Sequence, residues 1–301
     1  MEPISPSPLP QAARHGPATG AIIALVLASA IGDVVGTLLF WEFYGGPFYE
    51  FLLCMGLGLM VAQPCALAVW CALGTQKFVV RVPLTMGILF SLTCIFTGTI
   101  YALENGITLE VPIIFVVGSF SLALLVQVPL WIYRMITGYA ISFMGTQTES
   151  EKASQFGIKH LMIATTIAAV IAAISNYALA NSELDNSVPW GEVIGFLVTF
   201  ELFISMITLL CVALVYSRSS RVGIGILLGL VVIVGPIGVG EVIDAVIGGG
   251  SDRRMLTNTY AFTISLSIVL TVVLFAFYAM GYRLQRSNAF SRVRKKLRWR
   301  P

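Results

Sequence analysis

Residues Val193–Tyr216 have the sequence VIGFLVTFELFISMITLLCVALVY, with one charged side chain, Glu201, in 24 positions. An α-helix rises 1.5 Å per residue, so this stretch is long enough to cross the hydrocarbon core of a bilayer, about 30 Å thick. Its apolar residues form a continuous run, whereas the strands of a membrane barrel alternate apolar and polar residues. The stretch therefore predicts a transmembrane α-helix.

Seven other runs have the same apolar character. The whole chain is 57% hydrophobic and 11% charged, whereas soluble domains carry about 25% charged residues. We therefore predict an all-α fold, a polytopic helical membrane bundle with eight transmembrane helices. The seven other predicted helices are Ala21–Phe40, Phe51–Leu73, Val82–Leu103, Val111–Tyr133, Leu161–Ala180, Val222–Ile243 and Ala261–Tyr282.

The distribution of charge predicts the orientation. Lys and Arg accumulate in the cytoplasmic loops of membrane proteins. With the N-terminus inside, all 18 basic residues except Arg253 and Arg254 belong to inner segments. We therefore expect a multi-pass protein of the cell membrane with both termini in the cytoplasm. An alternative is that Ala28-Ser29-Ala30 is a signal-peptide cleavage site, which would leave seven helices and an outer N-terminus.

The two halves of the chain share a sparse pattern that suggests two parallel four-helix repeats. Cys71 and Arg81 recur as Cys211 and Arg221, 140 residues later, and Gly138-Tyr139 recurs as Gly281-Tyr282. The predicted organisation is a disordered cytoplasmic tail (1–20), a first membrane repeat (21–139), a cytoplasmic linker (140–157), a second membrane repeat (158–282) and a basic cytoplasmic tail (283–301).

Two short motifs resemble a known group of proteins. Phe156–Leu161 (FGIKHL) leads into a helix as the F-S-I-R-x-L-L-x-x-T motif does, and Gln63, Trp70, Gly74 and Arg81 match a G-Q…W…G…R helix. Both motifs are found in uncharacterised multi-pass membrane proteins of planctomycete bacteria, which this chain resembles. The chain departs from them at Gly157 and Ala62. The resemblance implies a multi-pass architecture in a bacterial inner membrane. The group has no known activity, so the resemblance implies no mechanism.

A candidate buried polar site comprises Asp33, Gln63, Glu201, Glu241 and Asp244. Ionisable residues within membrane spans usually face the bundle interior or a water-filled cavity. Asp33 and Glu201 lie deepest, and Gln63 could join them. One interpretation is a cation- or proton-coupled transport site. The other is a pair of neutral carboxyl groups, each hydrogen-bonded to a neighbouring helix.

Glu241 and Asp244 are three residues apart and share a helix face. They follow the sequence GPIGVG at residues 235–240, which predicts a broken or kinked helix. Broken helices bind substrates and ions in transporters. The alternative is a kink near the outer surface, with both acids in water.

Two further features suggest partners. The tail contains a basic cluster that could bind anionic lipid head groups: Arg292, Arg294, Lys295, Lys296, Arg298 and Arg300. Small residues recur every fourth position in the first run, and they could pack against another subunit: Gly20, Ala24, Ala28, Gly32 and Gly36. The tail is short and tethered to the membrane, so we expect no nucleic acid partner.

Reactive side chains are scarce. The chain has two histidines and five cysteines without a CxxC pair, so we expect no metal, cofactor or catalytic residues. The cysteines are expected to be small packing residues. The sequence thus favours a structural or accessory membrane protein that is not an enzyme, and the alternative is a transporter of ions or small solutes.

Overall fold

The computed structural model describes residues 26–38, 49–74, 78–103, 110–137, 139–143, 190–217, 221–247 and 253–286. These residues form seven α-helices and one pair of short strands. In chain order the elements are α1 (Val26–Leu38), α2 (Tyr49–Leu73), α3 (Phe78–Leu103), α4 (Glu110–Thr137), β1 (Tyr139–Phe143), α5 (Trp190–Tyr216), α6 (Arg221–Ile247), α7 (Arg253–Ala279) and β2 (Tyr282–Arg286).

Six of the described helices, α2 to α7, are long and apolar enough to cross a membrane, and α1 is a shorter apolar helix. The prediction of an all-α membrane protein is therefore confirmed. The predicted helix Leu161–Ala180 lies outside the described residues, as do the N-terminal tail and the basic cluster of the C-terminal tail. The count of eight helices accordingly stays a prediction.

Helix α2 lies at the centre of the bundle, where it contacts α3, α4, α5 and α7 and packs most extensively against α7. The side chains at these contacts are small or aliphatic, and several are fully buried, among them Cys65, Ala68, Ile207, Cys211 and Leu266. Small side chains let membrane helices approach closely and gain dispersion contacts. Burial of Cys65 and Cys211 agrees with the predicted packing role of the cysteines.

Helices α2 and α7 approach each other closely at Gly58. A Cβ atom added there would lie 2.6 Å from the carbonyl oxygen of Phe262 and 2.9 Å from Cβ of Ser265. One turn away, the Ser265 hydroxyl donates a hydrogen bond of 2.8 Å to the carbonyl of Met55. The two helices are therefore joined at this point by backbone contact and by one interhelical hydrogen bond.

Apolar side chains cover the outside of the bundle as well as its core. Val222, Ile226 and Ile136 are 78%, 67% and 72% exposed. In water such a surface would be unstable, whereas in lipid it is the surface that solvation favours. The outer faces of α4 and α6 are therefore lipid-facing.

Strands β1 and β2 form a two-stranded antiparallel ribbon that the sequence did not predict. Tyr139 pairs with Arg286, Ile141 with Leu284, and Phe143 with Tyr282. Residues 140–143 of the predicted linker and residues 283–286 of the predicted tail therefore belong to this ribbon. Helix α7 ends at Ala279 rather than Tyr282, because the chain turns at Gly281, which has a φ of 95° that side chains rarely adopt.

The predicted break in α6 is also wrong. The helix continues from Arg221 through Pro236 to Ile247. Proline removes one backbone hydrogen bond, but neighbouring helices support such a site within a membrane. The adjacent Gly235 leaves room for the ring of Phe203 on α5, which a Cβ atom would meet. The close contact with α5 thus supports α6 at the position where its own hydrogen bonding is weakest.

Candidate functional site

Asp33 is hydrogen-bonded to Gln63, and both residues belong to the candidate polar site. Asp33 is buried in α1, with 3% of its surface exposed, and Nε2 of Gln63 in α2 donates a hydrogen bond of 2.5 Å to its Oδ1. The hydroxyl of Thr37 donates to the backbone carbonyl of Asp33 at 2.7 Å. The side-chain bond joins α1 to α2 and supplies the carboxyl with a partner inside the apolar part of the bundle.

Glu201 has a different partner on a different helix. It is half-buried in α5, and the hydroxyl of Ser121 in α4 donates a hydrogen bond of 3.0 Å to its Oε1. The hydrogen bonds of the described residues therefore connect the two acids to separate neighbours, α2 for Asp33 and α4 for Glu201. Each acid has the interhelical partner that the structural interpretation requires.

The other two acids of the candidate site lie in α6. Glu241 is exposed, and Asp244 lies one turn further along this helix. Because the helix is unbroken, an ion site formed by the free backbone groups of a broken helix is no longer expected beside these acids. Glu241 is not joined to Asp33, Gln63 or Glu201 by a hydrogen bond among the described residues.

A cavity of about 200 Å³ lies between α1, α2, α3 and α7. Its wall is mainly apolar, and its described polar groups come from Ser29, Gln63 and Trp70. Neither Asp33 nor Glu201 belongs to the lining of this cavity. Gln63 therefore both lines this cavity and donates the hydrogen bond to Asp33.

Two arginines bind the carboxyl end of α2, although the sequence had suggested only loop charges. Arg81 of α3 is 4% exposed and donates to the carbonyl of Gly74. Arg134 of α4 donates to the carbonyls of Ala72 at 2.6 Å and Gly74 at 3.1 Å. Cations are favourable at a helix C-terminus, where carbonyl groups lack partners. Arg81 and Arg134 thus hold three helices together at the end of the bundle nearest the ribbon.

The same end of the bundle contains a second and larger cavity, of about 670 Å³. We call it the ribbon cavity, because β1 and β2 form part of its wall. Its polar lining residues are Tyr133, Tyr139, Tyr216, Ser217, Tyr278, Arg283 and Gln285.

Tyr278 is the centre of the aromatic cluster in this cavity. The guanidinium carbon of Arg283 lies 3.5 Å from the centroid of the Tyr278 ring, and that of Arg221 lies 5.8 Å from it. The ring of Tyr216 meets Tyr278 edge to face, with 6.0 Å between the centroids. Beyond the end of α7, burial raises the pKa of the Tyr282 phenol, so this group is uncharged at neutral pH.

Sequence analysis did not identify the ribbon cavity. The available signal was a tyrosine near the end of three apolar runs (Tyr133, Tyr216 and Tyr278), with a basic residue following each run. Tyrosine is common at membrane interfaces for general reasons, so this pattern does not by itself indicate a cavity.

In the described part of the chain, no group of three or more His, Cys, Asp or Glu side chains could hold a metal ion. Comparison with known proteins found no matching family model, no matching curated protein and no matching solved structure. The function must therefore be argued from the geometry of the molecule itself.

Proposed function

We propose that this chain is a structural or accessory protein of the membrane, without enzymatic activity, in which the buried acids hold helices together. The observation that supports this proposal most directly is the separate bonding of the two acids. Asp33 accepts its hydrogen bond from Gln63 of α2, and Glu201 accepts its own from Ser121 of α4.

Physical chemistry favours the same conclusion. A carboxylate isolated in hydrocarbon costs several kcal/mol, so a buried acid must be neutral, hydrated or partnered. A hydrogen bond donated by a fixed amide or hydroxyl gives an oxygen of a neutral carboxyl group a partner without solvent. A coupled transporter needs instead a route from its acid to water on both sides, and the lining residues of the described cavities include neither acid.

A second candidate function is transport of a cation, a proton or a small solute. One observation favours it. Gln63 lines the cavity between α1, α2, α3 and α7 and also bonds Asp33, so a rotation of the Gln63 side chain would bring the carboxyl into contact with that cavity. Under this alternative Asp33 would exchange its proton or ion through the cavity.

Flux through proteoliposomes separates the two functions. The wild-type chain and the variants Asp33→Asn and Glu201→Gln would be reconstituted with a pH-sensitive dye inside the vesicles. We expect the same pH-dependent leak in all three, because an amide replaces each neutral carboxyl with little change in shape. Glu241→Gln, at an exposed acid of α6, is the matched control. Flux that is lost in Asp33→Asn and retained in Glu241→Gln would contradict the structural role.

We further propose that the chain has eight helices in two parallel four-helix repeats. In this arrangement α2 corresponds to α5, α3 to α6, α4 to α7 and β1 to β2. The helix contacts support the proposal. The contacts α2–α3, α2–α4 and α3–α4 of the first half correspond to α5–α6, α5–α7 and α6–α7 of the second half. The contact between α2 and α7 corresponds in the same way to the contact between α4 and α5. The resemblance to planctomycete membrane proteins agrees with this architecture.

The remaining parts of the proposal concern orientation and partners. We place the ribbon end in the cytoplasm because Arg81, Arg134 and Arg221 lie there. The basic residues after position 291 would then meet anionic lipid head groups. A Cβ built at Gly32 would lie 3.8 Å from Leu59 of α2, and one built at Gly36, a turn further along the same face, would meet no described atom within 4 Å. The small residues of this stripe would then pack against another subunit where α2 leaves space beside Gly36.

A further inference from the structure

We propose that the ribbon cavity binds the phosphate head group of an anionic phospholipid. The proposal is independent of the structural role of Asp33 and Glu201. It depends on the charge of the cavity, on a buried hydroxyl group in its wall, and on its position at the end of the membrane spans.

The charge of the cavity is positive. Nη1 of Arg283 donates to the backbone carbonyls of Tyr278 and Tyr282, which leaves the N–H groups on Nε and Nη2 for a further acceptor. Arg221 lies on the same aromatic cluster, 5.8 Å from the centroid of the Tyr278 ring. No carboxylate belongs to the described lining. A phosphate oxygen is the acceptor that guanidinium groups bind best.

Tyr216 supplies the second observation. Its side chain is only 8% exposed, and its hydroxyl group is buried with no hydrogen-bond partner among the described residues. A buried hydroxyl without a partner costs about 1–3 kcal/mol. Tyrosines of an interfacial belt avoid this cost because their hydroxyl groups reach water. The hydroxyl has almost no accessible surface, so a small shift of the Tyr216 ring, which lines the ribbon cavity, would bring it to a ligand oxygen that supplies the partner it lacks.

The position of the cavity favours an amphiphile over a free anion. The membrane spans end at Thr137 in α4, at Tyr216 in α5 and at Ala279 in α7. The lining includes apolar residues within or beside these spans, such as Ala213 and Ile224, and polar residues beyond them, such as Arg283 and Gln285. The volume of about 670 Å³ lies within the roughly 300–1,000 Å³ of typical ligand pockets, and it exceeds what inorganic phosphate needs.

The resulting picture is a lipid bound between helices at the end of the bundle. The phosphate lies against Arg283 and the hydroxyl of Tyr216, and the glycerol backbone lies against Ala213 and Ile224. Basic pockets between transmembrane helices bind acidic lipid head groups through this combination of charge and apolar surface. The ribbon limits the depth to which the head group enters, because Leu284 and Gln285 of β2 line the cavity.

The test uses the full-length chain, purified in a neutral detergent. Short-chain phosphatidylglycerol, short-chain phosphatidylcholine and inorganic phosphate would be added in separate titrations at matched ionic strength. Bound lipid is counted by native mass spectrometry, and the shift in the midpoint of thermal unfolding gives an apparent affinity. We expect phosphatidylglycerol to bind and stabilise. Phosphatidylcholine should bind at least about tenfold more weakly because its choline cation is repelled by the arginines of the site, and inorganic phosphate should bind at least about tenfold more weakly because it has no apolar part to bury.

Two variants and one control locate the binding. Tyr216→Phe removes only the unpartnered hydroxyl, so it should fold normally and bind phosphatidylglycerol about fivefold more weakly. Arg283→Gln should weaken binding by more than about tenfold. Tyr260→Phe loses a tyrosine hydroxyl that donates to the carbonyl of Ile233, away from the ribbon cavity, and should bind as the wild type does. If Arg283→Gln fails to fold, Tyr216→Phe decides alone.

Three results would overturn the proposal. One is phosphatidylglycerol binding that Tyr216→Phe leaves unchanged. Another is an equal shift with phosphatidylcholine, which has the same phosphate group, since the site would then not select an anionic head group. A full shift with inorganic phosphate alone would mean that the cavity takes a free anion rather than a lipid head group. None of these results changes the flux expected for the Asp33 and Glu201 variants. The lipid site and the structural role of the two acids can therefore be contradicted independently of each other.

Discussion

Ile141 of β1 lies directly opposite Leu284 of β2, and each is the third residue after a glycine, Gly138 in one half of the chain and Gly281 in the other. If the halves are repeats related by a two-fold axis, these two residues are equivalent and the axis passes between them. The antiparallel direction of the ribbon agrees with such an axis along the membrane normal. The pairing thus gives the proposed duplication a specific test.

The first prediction concerns the register of the ribbon. The double variant Ile141→Cys/Leu284→Cys should form a disulfide under mild oxidation, because directly opposed residues have Cα atoms about 4.5–5.5 Å apart, within disulfide range. The exposed Cys94 would first be replaced by serine. A protease cut between the halves, followed by gel electrophoresis with and without reductant, measures the cross-link.

The matched control for this prediction is Ile141→Cys/Gln285→Cys. A shift of one residue moves a side chain to the opposite face of a strand, so this pair should cross-link much more slowly. Equal rates for the two pairs would mean that the ribbon has no fixed register, and the argument for a two-fold axis between Ile141 and Leu284 would be lost.

The helices could be predicted from sequence because the membrane requires them. A run such as Phe51–Leu73 contains no charge, and backbone groups in hydrocarbon must bond within a helix; α2 indeed ends at Leu73. The ribbon could not be predicted. Its five-residue strands pair across more than a hundred residues of chain. In the segment YRLQR at 282–286 only Tyr282 and Leu284 form an apolar face, and two residues are too few to distinguish a strand from a basic tail.

The candidate site was predictable in part for a related reason. Acids in apolar runs must have partners, so Asp33 and the nearby polar residue Gln63 could be proposed together. Pro236 was misinterpreted because its local preference to break a helix is weaker than the membrane's requirement for helical bonding. Arg81 and Arg134 could not be recognised as helix caps from sequence, since their acceptors, the last carbonyls of α2, become neighbours only in the folded bundle.

The second prediction concerns the contact between α2 and α7. Gly58→Ala should destabilise the protein by about 1–3 kcal/mol, because its Cβ would lie 2.6 Å from the carbonyl oxygen of Phe262. Gly56→Ala is the matched control on the same helix, since nothing lies within 4 Å of its Cβ. The control should be neutral or slightly stabilising. Thermal unfolding in detergent measures both, and equal midpoints would contradict the close crossing.

The third prediction concerns topology. Single cysteines placed at Ser182 and Gly249, in predicted outer loops, should react with a membrane-impermeant maleimide in intact cells. A cysteine at Gln147, in the predicted cytoplasmic linker, should react only after the membrane is permeabilised. The expectation follows from the tendency of Lys and Arg to remain inside. Labelling of Ser182 or Gly249 only after permeabilisation would reverse the proposed orientation.

The fourth prediction concerns the hydrogen bond between Gln63 and Asp33, and it separates a structural pair from a working acid. Gln63→Leu leaves the buried carboxyl of Asp33 without the donor that now lies 2.5 Å away. The loss should destabilise the protein by about 1–3 kcal/mol, whereas replacing both partners with apolar groups of similar shape should be nearly neutral.

The double variant Asp33→Leu/Gln63→Leu should therefore be more stable than Gln63→Leu alone. Thermal unfolding of the wild type, both single variants and the double variant gives the coupling energy between the two side chains. A structural pair predicts strong coupling together with unchanged vesicle permeability in all four proteins. A double variant as unstable as Gln63→Leu would show that the hydrogen bond does not hold α1 to α2. Loss of a specific proton flux in vesicles that contain Asp33→Leu, and equally in vesicles that contain Asp33→Leu/Gln63→Leu, would favour transport. Leucine at position 33 would then have removed a group that moves protons as well as one that joins two helices.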